Sequence, residues 1–185
     1  MAKSGKVIWS VTMSLDGFIA GSNDEMDWVF QYTDPNPLVE EVIRTTGAVL
    51  AGRNSYDVGK RAKRAELREV FGGGWSGPQF VLTHKAAEAD PANTFLSGDI
   101  RKAVSIALEA AKGKNVNIIG ADVARQCMDA GLVDEIIVFL APILLGDGIR
   151  LFSRSGAAPI DLETIGVTQS GQVTNLRFRV RSRDS

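Results

Sequence analysis

Apolar and polar positions along the chain alternate between a spacing typical of strands and a spacing typical of helices. Residues 7–13 are apolar on both faces and rich in β-branched side chains, which predicts a central strand buried on each side. After Pro37, which suits the first turn of a helix, apolar residues recur at helical spacing until about Gly47. Further strands are predicted at 48–51, 79–82, 116–119 and 135–141, and further helices from Asn54 or Ser55 to about Val70, from Asp99 through Leu108, and over 121–130.

The end of the chain follows a different pattern. Segments 161–168 and 173–181 favour two strands joined at Ser170-Gly171 as a hairpin. Apolar residues in the second strand alternate with three arginines, Arg177, Arg179 and Arg181. We expect these arginines on an outward face, where charges protect the edge of a sheet.

Together these elements predict an α/β fold. Its sheet is mixed, with a parallel centre, helices on both faces and an antiparallel C-terminal edge. The Pro- and Gly-rich pieces are short enough to be loops, so we expect residues 1–185 to form a single domain.

Composition narrows the classes of function. The 185 residues carry 21 Lys and Arg against 22 Asp and Glu, without a long basic stripe, which disfavours a dedicated nucleic-acid binder. One Cys and one His cannot supply the usual four ligands of a structural zinc site, and no apolar run reaches the ~18 residues of a membrane span. We therefore expect a cytoplasmic protein whose partner is a small molecule, with no metal, nucleic acid or membrane.

Two predicted strands run directly into helix starts, at Gly52 and at Gly120. The positive end of a helix and its unpaired amides suit a phosphate, and two such ends would cradle a pyrophosphate. Nearby side chains that suit a 2′-phosphate are Arg53, His84 and Lys85, so NADPH is favoured over NADH. The alternative is that both glycines form tight turns beside solvated charges. Asp122, at the second helix start, would repel a phosphate unless its carboxylate points away.

The loop that leaves the first strand supplies further candidates. Asp16, followed by Gly17, places a carboxylate at the end of a buried strand and is our first candidate for the catalytic proton path. Phe18 and Trp28 are candidates for stacking on a substrate. The alternative is that Asp16-Gly17 forms a turn and that Trp28 is a core aromatic residue.

Three other features favour structural explanations. Residues 72–77 match G-x-G-x-x-G, but a predicted helix precedes them and a strand follows, the reverse of the order that binds dinucleotides, so we expect a loop. The basic residues at 60–64 are expected on a solvated helix face, and Cys127 is expected to be a buried apolar residue within a helix.

Six segments in order carry a family resemblance: M-S-L-D-G-F-I-A (13–20), A-G-R-N-S-Y (51–56), F-V-L-T-H-K (80–85), N-I-I-G-A-D-V (117–123), A-G-L-V-D-E-I (130–136) and P-I-L-L-G-D-G-I-R-L-F (142–152). With them, the sequence resembles the dihydrofolate reductase superfamily and, more closely, the reductase domain of bifunctional riboflavin-biosynthesis deaminase/reductases. The resemblance implies a dihydrofolate-reductase-like three-layer fold that binds NADPH and forms a homodimer. The residues that it assigns to the cofactor are Ile19, Ala20, Gly52, Arg53, Asn54, Ser55, Thr83, His84, Lys85, Gly120, Ala121, Asp122 and Val123.

The chain departs from these families at positions that would contact substrate. Asn36 stands where dihydrofolate reductases carry an acid, with Asp34 and Glu40 nearby but out of register. Pro78 replaces the arginine that would bind the folate tail, and Phe18 replaces a lysine typical of the riboflavin enzymes.

The resemblance implies an NADPH-dependent reductase. It would transfer hydride to a C=N or C=O bond of a small pteridine- or pyrimidine-like heterocycle, similar to 5-amino-6-(5-phosphoribosylamino)uracil reductase or dihydrofolate reductase. The alternative is a non-catalytic NADPH-binding or sensor protein on the same fold. A third interpretation, a structural dimer module, predicts no affinity for the nucleotide.

Overall fold

The computed structural model describes residues 5–85, 89–153 and 155–181. Its strands are β1 (Val7–Ser14), β2 (Phe18–Ala20), β3 (Thr46–Gly52), β4 (Gln79–Leu82), β5 (Thr94–Leu96), β6 (Asn115–Ile119), β7 (Glu135–Ala141), β8 (Ile149–Arg150), β9 (Leu162–Ser170) and β10 (Val173–Val180). Its α-helices are α1 (Pro37–Thr45), α2 (Arg53–Arg61), α3 (Ile100–Ala110) and α4 (Ala121–Asp129). None of the helices in these ranges is long and apolar enough to cross a membrane.

Eight of these strands form one sheet in the order β5-β4-β3-β6-β1-β7-β10-β9. The strands from β5 to β7 in this order run parallel, whereas β10 and β9 form an antiparallel hairpin beyond β7. The short strands β2 and β8 pair separately, with Phe18 opposite Arg150. The predicted mixed sheet and its antiparallel C-terminal hairpin are therefore confirmed.

The two faces of β1 show how the sheet is covered. Trp9 lies in a core shared with the buried faces of α3 and α4. Its neighbour Ile8 points the other way, into a second core that contains Val42 of α1. Helices therefore cover both faces, as predicted.

The helix predicted from Asn54 or Ser55 to about Val70 is much shorter. α2 ends at Arg61, and two 3-10 turns follow, Ala65–Leu67 and Val70–Gly73. Residues 60–64 comprise four charged side chains and one alanine, so they offer no apolar stripe to bury. Because a helix in a protein is stabilised mainly by packing such a stripe, good helix propensity alone does not extend α2.

Arg177 is not on a solvated edge, and that prediction was wrong. β9, rather than β10, forms the edge of the sheet. Arg177 Nε donates to Oε2 of buried Glu135 at 2.8 Å, and its Nη1 donates to Glu41 Oε1 of α1 at 2.9 Å. Lys6 Nζ also donates to Glu135, so this ion network ties β10 to β7 and α1.

Candidate functional site

The starts of α2 and α4 lie side by side at the carboxyl edge of the sheet. β3 and β6 are neighbouring parallel strands with Ala51 opposite Ile119, so the helices that follow them begin next to each other. Gly120 has a φ of +101°, and a Cβ added there would lie 2.3 Å from Ser55 Oγ. Glycine is required at this position by both its backbone conformation and its surroundings. The two predicted phosphate-binding helix starts are thus neighbours in space.

These two helix starts differ from the starts of α1 and α3 in how their backbone amides are satisfied. Asn36 Oδ1 accepts from Leu38 N at 3.1 Å and caps α1, and the Asp99 side chain caps α3. Within the described part of the chain, α2 and α4 have Gly52 and Gly120 at the capping position and no side-chain cap. Adjacent helix starts without a side-chain cap are typical of sites that bind an anion.

Two of the cations predicted to bind phosphate meet at Asp57 of α2. Arg53 Nε donates to Asp57 Oδ1 at 2.8 Å, and Lys85 Nζ lies 3.8 Å from Asp57 Oδ2. Lys85 follows β4 and is far from Arg53 in sequence, so the fold brings the two charges together beside the start of α2.

The end of β4 holds Thr83 in a fixed position. Thr83 is buried, its N–H donates to Leu96 O at 2.9 Å, and its Oγ1 accepts from Lys85 N at 3.0 Å. His84 and Lys85 are exposed at the same sheet edge as the two helix starts.

The Asp122 carboxylate is hydrogen-bonded to side chains of its own helix, α4. It accepts from Arg125 Nη2 at 2.8 Å and from Gln126 Nε2 at 2.9 Å. These bonds, the one from Arg125 foremost, hold the pKa of Asp122 below its usual value, with a smaller contribution from the charge of His84. The negative charge is thus partly neutralised on the helix surface.

Asp16 lies in the turn after β1, where three donors hold its carboxylate. Ser14 Oγ donates at 2.6 Å, Leu145 N at 3.1 Å and Gly146 N at 2.8 Å. Ser14 Oγ in turn accepts from Phe18 N at 2.9 Å. These bonds, with Ser14 first, lower the pKa of Asp16 to about 2 although desolvation opposes them. At neutral pH the ionised carboxylate joins β1, β2 and the loop after β7.

A cavity of about 550 Å³ opens beside the start of α4, and we call it the α4 cavity. Its lining comes from β1, β2, α4 and the loop after β7: Trp9, Phe18, Ala121, Asp122, Arg125, Met128 and residues 146–153. The Arg150 guanidinium lies 4.7 Å from the centroid of the Phe18 ring. Phe18, predicted to contact substrate, therefore lies in one cavity with Ala121 and Asp122, which were predicted to contact cofactor.

A second cavity, of about 320 Å³, lies on the other face of the sheet, between α1, β1, β7 and the C-terminal hairpin. We call it the α1 cavity. Its walls are apolar at Val29, Val39, Phe139 and Val173, carry hydroxyl or amide groups at Thr12, Tyr32, Asn36 and Ser170, and are acidic at Asp34 and Glu40.

The α1 cavity was not predicted from the sequence. Its lining residues come from segments far apart in the chain, which only the folded sheet assembles. One signal was present, since Asn36, Val39 and Glu40 are spaced to share one helix face.

Asn36, which the resemblance aligns with the acid of dihydrofolate reductases, is hydrogen-bonded through both its amide nitrogen and its amide oxygen. Its Nδ2 donates to Asn175 Oδ1 at 2.8 Å, and its Oδ1 caps α1 and accepts from Asn175 Nδ2 at 3.2 Å. Asn175 is buried in β10 and also donates to Thr168 and Ser170. This paired amide anchors α1 to the hairpin, and a carboxamide does not act as an acid at neutral pH.

Trp28 and the β2 backbone lie outside the α1 cavity. Trp28 is buried in a 3-10 turn, Asp27–Gln31, and its Nε1 has no hydrogen-bond partner among the described residues. Ile19 packs against the core on the α3 and α4 face, and Ala20 is buried beside it. Trp28 therefore lines neither cavity, whereas Phe18 lines the α4 cavity and Asp16 accepts from Gly146 N at its wall.

No group of three or more His, Cys, Asp or Glu side chains able to hold a metal ion occurs in residues 5–85, 89–153 and 155–181. The donors described above are backbone amides, guanidinium groups and hydroxyls, which suit an organic anion.

Solved structures with the same architecture define the class of fold. A putative riboflavin biosynthesis protein from Shewanella sp. PV-4 superposes with a TM-score of 0.76 at 21% identity, covering 96% of this chain and 99% of that chain. Dihydrofolate reductase from Enterococcus faecalis, complexed with NADP(H) and RAB-propyl, superposes with a TM-score of 0.64 at 13% identity, covering 98% of this chain and 100% of that chain. The predicted dihydrofolate-reductase-like three-layer fold is confirmed.

Sequence comparison then gives the family. The model of the RibD C-terminal domain matches residues 5–176, and the chain belongs to the RibD C-terminal domain family. A relative from Bacillus subtilis (strain 168), the uncharacterized protein YyaP, is 29% identical over 156 residues, covering 81% of each chain. The predicted branch of the superfamily is confirmed.

Proposed function

We propose that the protein is an NADPH-dependent reductase that transfers hydride to a C=N or C=O bond of a small heterocycle of pteridine or pyrimidine type. The observation that carries the proposal is the pair of adjacent, uncapped helix starts at Gly52 and Gly120. Membership of the RibD C-terminal domain family and likeness to a dihydrofolate reductase complexed with NADP(H) support it.

The residues at the two helix starts fit such a dinucleotide. First-turn amides would hold the pyrophosphate, from Gly52, Arg53, Asn54 and Ser55 on one side and from Gly120, Ala121, Asp122 and Val123 on the other. Because the Asp122 carboxylate is engaged by Arg125 and Gln126, it need not face the phosphates. When bound, NADPH supplies the hydride.

The 2′-phosphate would lie among Arg53, His84 and Lys85. Arg53 and Lys85 are already held beside each other by Asp57. A phosphate would accept hydrogen bonds from both side chains, and binding would not have to bring them together first. Thr83 fixes the backbone of this loop, and the backbone at Ile19 and Ala20 would line the nicotinamide side.

The α1 cavity is the proposed substrate site. It lies near the carboxyl end of β1, whose neighbour β6 leads directly into Gly120, so a dinucleotide on the two helix starts can extend toward it. The apolar walls exclude water, while Thr12 and Tyr32 offer hydroxyls to a ring. Glu40 lies one helical turn after Asn36, and we assign the proton relay to its carboxyl group.

Asp16 has a positioning role in this proposal. A carboxyl group with a pKa of about 2 carries no proton at neutral pH and cannot donate one. Its bonds to Leu145 and Gly146 instead hold the loop after β7 against β2. Phe18 would contact ligand from the α4 cavity, whereas Trp28 stabilises the 3-10 turn that carries Val29.

A second candidate function is NADPH binding without hydride transfer. It is favoured by one observation, the engaged amide of Asn36 at the position of the acid in dihydrofolate reductases. The two functions predict the same cofactor affinity and differ in turnover.

The test is a titration with NADPH, with NADH alongside, followed by quenching of tryptophan fluorescence. We expect binding at about micromolar concentration that favours NADPH, and a loss of about tenfold in Arg53→Ala. Arg101→Ala, at an exposed position of α3, is the matched control and should bind as the parent protein does.

Oxidation of NADPH in the presence of pteridine, pyrimidine or quinoid acceptors then separates the two functions. Turnover with one of them supports the reductase, and binding without turnover across the series supports the second candidate. Absence of binding to either nucleotide contradicts both.

A further inference from the structure

We infer that the α1 cavity selects an uncharged or cationic nitrogen heterocycle without a phosphate or carboxylate tail. The inference rests on the proposed function, because it names the substrate class of the proposed substrate site. It follows from the charges that surround the cavity.

Both ionisable carboxyl groups of the α1 cavity are at its rim. Asp34 and Glu40 are exposed, whereas Phe139 and Val173 in the wall are buried. Asp34 lies against the hairpin turn, since a Cβ on Gly171 would come 2.0 Å from its Oδ2. The fold therefore fixes an acidic group beside the opening.

No lysine, arginine or histidine belongs to the lining of the α1 cavity in the described ranges. Two guanidinium groups outside the lining contact other groups. Arg64 lies 4.1 Å from the centroid of Phe30, on the 3-10 turn that carries Val29, and pairs with Glu66 at 3.8 Å. Arg177 is held by Glu135 and Glu41. An anionic substituent in the cavity would thus meet two carboxylates and no partner of opposite charge.

The α4 cavity and the helix starts differ from the α1 cavity in charge. Arg125 and Arg150 line the α4 cavity together with Asp122 and Asp147, and Arg53 stands at the start of α2. The protein therefore offers cations and helix starts without a side-chain cap where an anionic dinucleotide would lie, whereas the charged groups where the second reactant would lie are carboxylates. This separation keeps a phosphorylated ligand out of the α1 cavity through like-charge repulsion.

The dimensions of the α1 cavity agree with this inference. Its volume of about 320 Å³ stands at the lower end of the roughly 300–1,000 Å³ typical of ligand pockets. One ring system fills such a space, and any tail leaves it past Asp34 and Glu40. Ring N–H and amino groups, by contrast, donate favourably to those carboxylates.

The test measures binding of two matched pairs of ligands by isothermal titration calorimetry. The first pair is a 5-amino-6-(ribosylamino)uracil and its 5′-phosphate, and the second is dihydropterin and dihydrofolate. We expect the member without the anionic tail to bind about tenfold more tightly in each pair that binds. Asp34→Lys should reduce this ratio at least about threefold, and Asp34→Asn should reduce it less.

Glu109→Lys makes the same change of charge at an exposed position of α3, on the other face of the sheet, and should leave the ratio unchanged. Equal or tighter binding of the phosphorylated or glutamylated member would overturn the inference. So would failure of all four ligands to bind, or an equal effect of Glu109→Lys and Asp34→Lys. Because these titrations need no cofactor, the failure of the reductase proposal is detected separately, by the NADPH titration.

Discussion

The hydroxyl of Ser55 occupies the space in which a side chain on Gly120 would stand, with only 2.3 Å between Ser55 Oγ and the position of that Cβ. Gly120→Ala should therefore destabilise the protein by about 2 kcal/mol or more, through the clash and through its left-handed backbone. It should also abolish NADPH binding, because the start of α4 must move. Urea denaturation and the fluorescence titration measure the two effects.

Gly131→Ala is the matched control for this substitution. Gly131 also has positive φ, at +68°, but nothing lies within 4 Å of a Cβ there. Only backbone strain remains, so we expect a cost of about 1 kcal/mol and unchanged NADPH affinity. Equal losses in the two variants would contradict a role for the contact with Ser55.

Asp16→Asn should loosen the loop after β7. The pKa of Asp16 in the folded protein, about 2, is below its usual 3.8, so its ionised form stabilises the fold above pH 3.8. This contribution is lost as the pH falls from about 4 toward 2, and the stability difference between parent and variant should disappear over that range. Urea denaturation at a series of pH values measures it.

Hydrogen exchange reports on the same substitution locally. The amides of Leu145 and Gly146 donate to the Asp16 carboxylate, so Asp16→Asn should accelerate their exchange. The amide of Leu82, inside the sheet between β3 and β5, serves as the internal reference and should keep its protection. Unchanged exchange at Leu145 and Gly146 would remove the positioning role proposed for Asp16.

Glu135→Gln should lower the free energy of unfolding by about 3 kcal/mol. Burial disfavours the charge of Glu135, but hydrogen bonds from Lys6 and Arg177 outweigh burial and keep its pKa below the usual value. Glu163→Gln removes the same type of pair, with Arg179 at 2.8 Å, at the exposed edge of the sheet and should cost no more than about 0.5 kcal/mol. NADPH affinity should stay the same in both variants. A comparable loss of stability in Glu135→Gln and Glu163→Gln would contradict the idea that burial of Glu135 makes its ion pairs more important for stability.

Cys127 should be inert to alkylation in the folded protein. Burial within α4 raises the pKa of its thiol to about 12, so the reactive thiolate is absent at neutral pH. Mass spectrometry after brief exposure to iodoacetamide should find the thiol unmodified in buffer and modified above the urea midpoint. Modification in buffer at the rate of a free thiol would show that α4 opens locally.

The sequence predicted those helices and strands whose caps and apolar pattern match the contacts that they make in the folded protein. α3 has an acidic cap at Asp99 and an apolar stripe that packs in the core, so both signals point to the same helix. The predicted end of α2 was wrong because residues 60–64 have helix propensity but no apolar stripe to pack against the core. Cys127 lies buried within α4, as predicted.

The parts of the candidate site that depend on local sequence were also predicted, and the parts that depend on distant segments were not. Gly52 and Gly120 stand at junctions between strand and helix, a relationship that is local and can be recognised from spacing. The α1 cavity was missed because Thr12, Phe139 and Ser170 meet only when β1, β7 and the hairpin pair. The partner of Arg177 was missed for the same reason, since nothing near it in sequence indicates a buried carboxylate.

The uncapped starts of α2 and α4 would link the lifetime of the protein to the supply of the proposed dinucleotide. An anion bound only by the folded chain adds its binding free energy to the stability of that chain. Without the anion, neither helix start has a side-chain cap, and fraying can begin there. If the proposed dinucleotide binds there, proteases that cleave opened chains would remove the ligand-free protein first, and the abundance of the protein would follow the concentration of the dinucleotide.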